Sequence, residues 1–136
     1  MKRLEGINEL ILCIGENHTH SDHHKFFHSR VEDGTFRAGK FIFAENGFLY
    51  YIDPYREKKV RPLNYARKQQ IYFSGGGVMW DILKDFGRFI MTGEKGFLRD
   101  YKEVWGFEYE NTMNVRKKAQ EVGFIERIDY LHERFA

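Results

Sequence analysis

The fold is decided by residues 35 to 53, which read TFRAGKFIFAENGFLYYID. The pair Asn46-Gly47 lies between two apolar segments, Phe41–Ala44 and Phe48–Asp53. Asn-Gly favours the positive φ angles of a type I′ turn, whose twist matches that of antiparallel strands. The stretch therefore predicts a β-hairpin.

More strands are predicted on both sides of this hairpin. Asp33-Gly34, between Phe26–Glu32 and Thr35–Ala44, is a second hairpin signal, so that a three-stranded meander begins near Phe26. The short apolar segment Gln70 to Ser74 predicts a fourth strand, which ends at three consecutive glycines. Near the N-terminus, the apolar run inside residues 9 to 15 predicts a strand buried on both faces.

The apolar pattern changes to a helical period at Val78. One stripe at 3.6-residue spacing runs to Ile90 and predicts a helix that ends near Gly93. Weaker patterns predict three further elements: a short helix from Leu98 to Trp105, a helix that starts at Asn111 or Thr112 and runs to Gly123, and a strand from Phe124 to Tyr130.

Strands followed by helices, in a chain of 136 residues with 42% hydrophobic and 31% charged residues, predict one domain over residues 1 to 136. The predicted class is α+β, with a mostly antiparallel β-meander sheet packed by two or three helices from the C-terminal half. No apolar run approaches a membrane span and no signal-peptide core follows the N-terminus, so we expect a cytoplasmic protein without membrane association. The single cysteine, Cys13, is interpreted as a small buried hydrophobic residue.

Five of the six histidines lie between residues 18 and 28. Neutral imidazole is a common ligand of Zn²⁺, and a nearby carboxylate adds an oxygen ligand. The cluster predicts a divalent metal site, with zinc favoured, whose ligands are His18, His20, Asp22 and His23. Asp22 and Glu16 are the local candidates for a catalytic general base. The alternative is that these histidines lie on a solvated loop.

Two resemblances accompany this cluster. The segment His18-Thr19-His20-Ser21-Asp22-His23 resembles the His-x-His-x-Asp-His ligand motif of the metallo-β-lactamase superfamily. Only seventeen residues precede it and only His132 remains among the later histidines, so the resemblance implies metal binding and not that superfamily's fold. His18-Thr19-His20, followed by Ser29 and Glu32, is similar to the pattern of the JAB/MPN metalloproteases. The second His and the Ser are one residue too far apart, and Glu32 stands in place of Asp.

Residues 56 to 68 are strongly basic, with six cations against Glu57 and a net charge of +5. Tyrosines are interleaved with them, a composition that suits phosphate neutralisation and base stacking. The segment predicts a nucleic-acid or nucleotide partner, bound by Arg56, Lys58, Lys59, Arg61, Arg67, Lys68, Tyr55 and Tyr65. The alternative is that the tyrosines are half-buried sheet residues and the basic residues form a solvated loop.

Together these features give three functional hypotheses. The leading one is a metal-dependent phosphoester hydrolase or nucleic-acid-processing protein that uses the histidine-rich loop. The second is a non-catalytic interaction module, such as a nucleic-acid-binding, inhibitor or assembly protein of a virus or mobile element, which implies a protein partner as a further possibility. The third is a zinc metallopeptidase.

Overall fold

The computed structural model of the chain describes residues 2–17, 28–30, 36–55, 57–63, 67–73, 77–96 and 109–126. These ranges contain helices α1 (Lys2–Asn17), α2 (Gly77–Thr92) and α3 (Tyr109–Glu121), strands β1 (His28–Arg30), β2 (Phe36–Ala38), β3 (Lys40–Phe43), β4 (Leu49–Ile52) and β5 (Lys59–Val60), and a 3₁₀ helix (Arg67–Tyr72). All the described strand pairs are antiparallel. The α+β prediction is confirmed.

The described strands form two sheets instead of one meander. β1 pairs with β2, and β3, β4 and β5 form a three-stranded sheet in that order. The predicted strand Thr35–Ala44 is divided at Gly39, where a Cβ atom would overlap the hydroxyl and ring of Tyr51. The chain passes from the first sheet to the second at Gly39, because a residue with a side chain would collide there with Tyr51. The Asp33-Gly34 turn itself lies outside the described residues.

The hairpin at Asn46-Gly47 is confirmed, although its turn is of another type. Of these two residues, only Gly47 has a positive φ, of 83°. Its N–H donates to the carbonyl of Ala44 at 2.9 Å, and the Ala44 N–H donates to the carbonyl of Phe48 at 3.0 Å. The loop thus has three residues, with a glycine in the left-handed region after a tight turn, which is the next most common hairpin after the two-residue type.

The predicted strand at residues 9 to 15 is wrong, because these residues lie inside α1. The fully buried side chains of α1 are Ile7, Leu10, Ile11 and Ile14, a spacing of three and four residues that puts them on one side of a helix. Leu12, which a doubly buried strand would enclose, is 47% exposed. The five consecutive apolar residues concealed the helical period.

The predicted strand at Gln70 to Ser74 is also wrong. Gln70 to Tyr72 form the end of the 3₁₀ helix, and Ile71 is 65% exposed. Phe73, the next residue, is buried and belongs to the core. An isolated alternation of two apolar residues did not distinguish a strand from this short helix.

The two later helices are confirmed. α2 covers the predicted stripe and is followed by Gly93 at a φ of 81°, while α3 is followed by Gly123 at a φ of 87°. α3 begins at Tyr109, before the predicted caps. The predicted helix from Leu98 to Trp105 lies outside the described residues. Residues 124 to 126 are not a strand, and the rest of the predicted C-terminal strand is not described.

The core lies between the three-stranded sheet and the helices. A chain of aromatic contacts crosses it, with ring centroids 5.3 Å apart for Phe41 and Tyr51, 6.1 Å for Tyr51 and Phe73, and 5.6 Å for Phe73 and Trp80. α1 packs on α2, α3 and β3, and so closes one side of this core. The other face of the sheet points away from it.

Candidate binding surface

The three-stranded sheet has one buried and one accessible face. The register places Ile42 opposite Tyr50, and it places Ile52 opposite both Lys40 and Lys59, so that these five side chains share a face. Phe48 and Arg61 extend the same alternation beyond β4 and β5. We call these seven residues the outer face. Its isoleucines and Tyr50 are half-buried, whereas the inner-face residues are part of the core.

Basic side chains of the outer face lie over its aromatic rings. The guanidinium carbon of Arg61 is 4.0 Å from the ring centroid of Phe48, and the Nζ atom of Lys59 is 6.0 Å from that of Tyr50. Next to the outer face, the Nζ atom of Lys58 is 5.2 Å from the centroid of Tyr72. A cation over an aromatic face is attracted by the ring quadrupole, by about 0.5–1 kcal/mol at an exposed site. The contacts hold positive charge close to the sheet.

The outer face is therefore apolar at its centre and positive at its margin. Its seven residues include three cations and no carboxylate. The neighbouring Glu57 forms an ion pair of 2.6 Å with Arg37, in which both side chains are largely exposed. Such a pair contributes little to stability, but it places an exposed carboxylate of the β4–β5 loop beside another cation.

At each edge of the three-stranded sheet, a side-chain amide bonds the backbone of one residue. At β3, the Nδ2 atom of Asn8 donates to the carbonyl of Phe41 at 3.0 Å, and the Phe41 N–H donates to Oδ1 of Asn8 at 2.7 Å. At the β5 side, the Arg61 N–H donates to Oε1 of Gln69 at 2.9 Å. An incoming strand needs free backbone groups at an edge. The face, not these edge positions, is the surface left for binding.

Three titratable side chains among the described residues have raised pKa values. Burial raises the pKa of the Cys13 thiol, with Glu16 adding to the effect, so that the thiol stays protonated and is a poor nucleophile. Burial, and then the charge of Asp53, raise the pKa of Tyr51 well above its ordinary value. A hydrogen bond from Lys118 to Glu121 raises the pKa of that lysine.

The predicted metal ligands, His18, His20, Asp22 and His23, lie outside the described residues, so that zinc binding by them stays a prediction. Glu16, the second candidate base, is exposed in the last turn of α1 and does not follow a strand. Within the described ranges, no three His, Cys, Asp or Glu side chains lie close enough to share a metal ion.

The predicted basic segment is only partly assembled in the described structure. Lys58, Lys59 and Arg61 lie close together on and beside the outer face. Tyr55 is half-buried, and its N–H donates to Oδ1 of Asp53 at 2.9 Å. Arg56 and Tyr65 lie outside the described residues, and Arg67 and Lys68 are the first two residues of the 3₁₀ helix.

Sequence reasoning missed the apolar half of the surface. Ile42 and Ile52 were interpreted only as strand residues, and Lys40 and Phe48 were not assigned to a site. Their alternation with the buried Phe41 and Tyr51 was the available signal, because residues two apart on a strand share a face. Assigning them to one surface with Lys59 also required the register between β4 and β5, which the sequence did not reveal.

None of the helices among the described residues is both long enough and apolar enough to span a membrane.

Comparison with known proteins gives a match along nearly the whole chain. The model of the YoqU family matches residues 1–135. The chain is 39% identical, over 130 residues, to the "SPbeta prophage-derived uncharacterized protein YoqU" of Bacillus subtilis (strain 168), an alignment that covers 96% of this chain and 88% of the relative. No solved structure matches the chain.

These findings overturn the leading hypothesis. The described residues contain no metal-binding group, and neither the family description nor the relative's name includes a catalytic activity. The prediction of a metal-dependent phosphoester hydrolase or nucleic-acid-processing protein is wrong, as is the zinc peptidase alternative. The spacing of histidines over six residues was too short a pattern to indicate an enzyme. The match to the family model over residues 1–135, together with the 39% identity to the relative, shows that the chain belongs to the YoqU family.

Proposed function

We propose that the protein is a non-catalytic binding module, whose outer face docks a partner protein with an apolar centre surrounded by acidic side chains. The observation that carries this proposal is the set of cations held over the aromatic rings of an accessible sheet face. Lys59 lies over Tyr50, and Arg61 lies over Phe48.

The apolar centre supports a protein partner. Ile42, Tyr50 and Ile52 are adjacent on the sheet and only half-buried, and Phe48 beside them is 46% exposed. Aromatic residues and Arg are enriched at the centre of protein interfaces, where they bury large areas with little loss of side-chain entropy. A partner that covers this centre removes apolar surface from water, at about 25 cal/mol per Å².

Charge supports an acidic partner. Lys40 flanks the apolar centre at β3, and Lys59 and Arg61 flank it on the β5 side, so that carboxylates on the partner would meet cations on two opposite sides. Such complementarity raises the association rate and disfavours basic partners more than it adds affinity.

A protein fits this face better than nucleic acid does. Base stacking needs an open aromatic face, but Arg61 already covers the ring of Phe48 at 4.0 Å. The residues between the cations are aliphatic, Ile42 and Ile52, which neither stack on bases nor bind phosphates. The positive margin alone would give only weak, salt-sensitive binding to a polyanion.

Site-specific cross-linking tests this proposal. The photo-reactive residue p-benzoylphenylalanine replaces Phe48 in one variant and Met91 in a control variant, two side chains that are each 46% exposed. In bacterial cells that express the protein, we expect the position-48 variant to cross-link a specific protein that the position-91 variant does not. Cross-linking of nucleic acid from position 48 would instead contradict the proposal.

The partner identified in this way is then purified and titrated by calorimetry. Phe48→Ser removes the ring below Arg61 and Lys59→Glu reverses a marginal charge, so that each should raise the Kd about tenfold or more. Met91→Ser is the matched control and should leave the Kd within about twofold. Binding that is indifferent to both outer-face substitutions would show that the partner uses another surface.

A further inference from the structure

One side of α1 carries a second surface, which the proposed function does not use. Glu5, Glu9, Leu12 and Glu16 recur at intervals of four, three and four residues, and all are exposed. This spacing places them on one side of the helix, away from the buried Ile7 and its neighbours. Leu12 is 47% exposed between the glutamates. We call these four residues the α1 stripe.

The α1 stripe and the outer face are complementary in charge and polarity. The stripe has an apolar residue between acidic ones, while the outer face has apolar residues between Lys40, Lys59 and Arg61. Both surfaces are exposed in the same molecule, so neither covers the other within one chain. Contact between them requires two molecules.

Their dimensions also agree. The stripe from Glu5 to Glu16 rises about 16 Å, at 1.5 Å per residue. A strand of four residues, such as β3 or β4, is about 13 Å long, and three strands with two spacings of about 4.8 Å are close to 10 Å wide. A helix with its side chains is about 10–12 Å across, so one helix covers the three strands.

We propose that the outer face of one molecule binds the α1 stripe of a second copy of the same chain. This inference rests on the proposed function and names the acidic partner. Leu12 then covers Ile42 and Ile52, and the glutamates on either side of it meet the marginal cations Lys59 and Arg61. Like charges placed opposite each other are unfavourable, which disfavours a symmetric contact of outer face with outer face.

Contact between two different surfaces has a consequence for assembly. A molecule bound through its outer face still has an unoccupied α1 stripe. The molecule bound through its α1 stripe still has an unoccupied outer face. Contacts of this head-to-tail kind continue into a ring if the rotation closes and into an open chain if it does not. The protein should therefore assemble as its concentration rises, and it should form species larger than a dimer wherever the rotation does not close the ring at two molecules.

Sedimentation velocity with complementary variants tests this arrangement. Lys59→Glu disables the outer face and keeps the stripe, whereas Leu12→Lys disables the stripe and keeps the outer face. Each variant alone should be a monomer at concentrations at which the wild type assembles. A mixture of the two has one functional surface of each kind, so that it should form a 1:1 heterodimer and nothing larger. Assembly that stops at the heterodimer distinguishes a head-to-tail contact from nonspecific association.

Controls separate loss of contact from loss of fold. Met91→Lys places the same charge on a side chain of similar exposure at the end of α2, and it should assemble as the wild type does. The circular dichroism spectra and thermal midpoints of all three variants should match the wild type, because each substituted side chain is exposed. The heterodimer itself shows that both disabled variants are folded.

Two outcomes would overturn the inference: a wild type that stays monomeric up to roughly 1 mM, the weak end of the affinity scale, or a mixture that gives no heterodimer. If the wild type is monomeric but position 48 still cross-links another protein, the second-copy inference fails and the proposed function stands. If assembly occurs but survives Lys59→Glu and Phe48→Ser, the outer face is not the contact between copies and the second-copy inference fails, while the proposed function then stands or falls with the cross-link at position 48.

Discussion

Tyr51 is the residue that joins the two sheets to the core. Its ring contacts Phe41 and Phe73, and its hydroxyl end lies against Gly39, where the chain passes from β2 to β3. The side chain is fully buried, and burial with the nearby Asp53 charge raises its pKa. The phenol therefore keeps its proton in the folded protein at pH values where an exposed tyrosine loses it.

This shift predicts that Tyr51 contributes to a loss of stability at alkaline pH. In the unfolded chain Tyr51 ionises near pH 10, its ordinary value. Above that pH the folded state holds a proton that the unfolded state has released, so the free energy of unfolding falls as the pH rises. Tyr51→Phe removes the ionisable group, and we expect the decline between about pH 9 and 11 to become shallower.

Urea unfolding at a series of pH values measures this slope. The comparison is between slopes, since Tyr51→Phe can also change the stability at pH 7. Phe73→Leu is the control, because it disturbs the same aromatic contacts without removing a hydroxyl. An alkaline decline of unchanged steepness in Tyr51→Phe would show that the tyrosine ionises equally in the folded and unfolded chain.

At the scale of elements, α1 and β3 are joined by Asn8. Its carboxamide donates to and accepts from the backbone of Phe41, as the next strand of a sheet would do. Asn8→Ala leaves both Phe41 groups without these partners in a partly buried position. We expect the free energy of unfolding to fall by about 2 kcal/mol, the sum of two such losses at the low end of the usual range.

Chemical denaturation of Asn8→Ala and of a matched variant measures this loss. Asn46→Ala also removes an amide that bonds a backbone N–H, that of Phe48, but at an exposed turn where water replaces it. The control should lose about 0.5–1 kcal/mol at most. Equal losses in the two variants would mean that α1 does not support the sheet edge through Asn8.

Elements with a strong local signal were predictable from the sequence. The helical pattern of α2 and the turn at Gly47 are each determined by residues that are close in sequence, and both are present in the structure. α1 was misread because the exposed Leu12 and the half-buried Cys13 are also apolar, so that Leu10 to Ile14 read as continuous. The spacing of Ile7, Leu10 and Ile14 was the weaker, correct signal.

The candidate surface was less predictable than the elements, because it depends on contacts between them. The sequence indicated that Lys58, Lys59 and Arg61 form a basic group, but it gave no reason to place Phe48 below Arg61. That position follows from the pairing of β4 with β5, which the turn chemistry of one loop does not fix.

At the scale of the whole molecule, Phe124 connects the ends of two helices. Its ring makes edge contacts with Phe86 and Phe89 of α2, at centroid distances of 5.1 and 5.5 Å. Its N–H donates to the carbonyl of Ala119 in the last turn of α3 at 2.9 Å, and its carbonyl accepts from the N–H of Gly96 at 2.9 Å. The segment after α2 and the segment after α3 therefore meet at one fully buried side chain.

Phe124→Ala should destabilise the whole molecule. Removing a buried phenyl group costs about 3–5 kcal/mol, because the apolar contacts are lost and a cavity remains. Phe48→Ala, at an exposed ring, should cost about 1 kcal/mol or less. Thermal and urea unfolding of both variants measure the difference. A similar small loss in both would show that α3 is not held to α2 through this ring.

The closure of the sheet by Asn8 also has a consequence for how the chain is made. Translation proceeds from the N-terminus, so the residue that closes the edge of β3 leaves the ribosome thirty-three positions before Phe41, the residue that it binds. Asn8 is therefore already present when the edge of β3 is synthesised. Arg61, in contrast, is synthesised before its partner Gln69, which follows eight residues later.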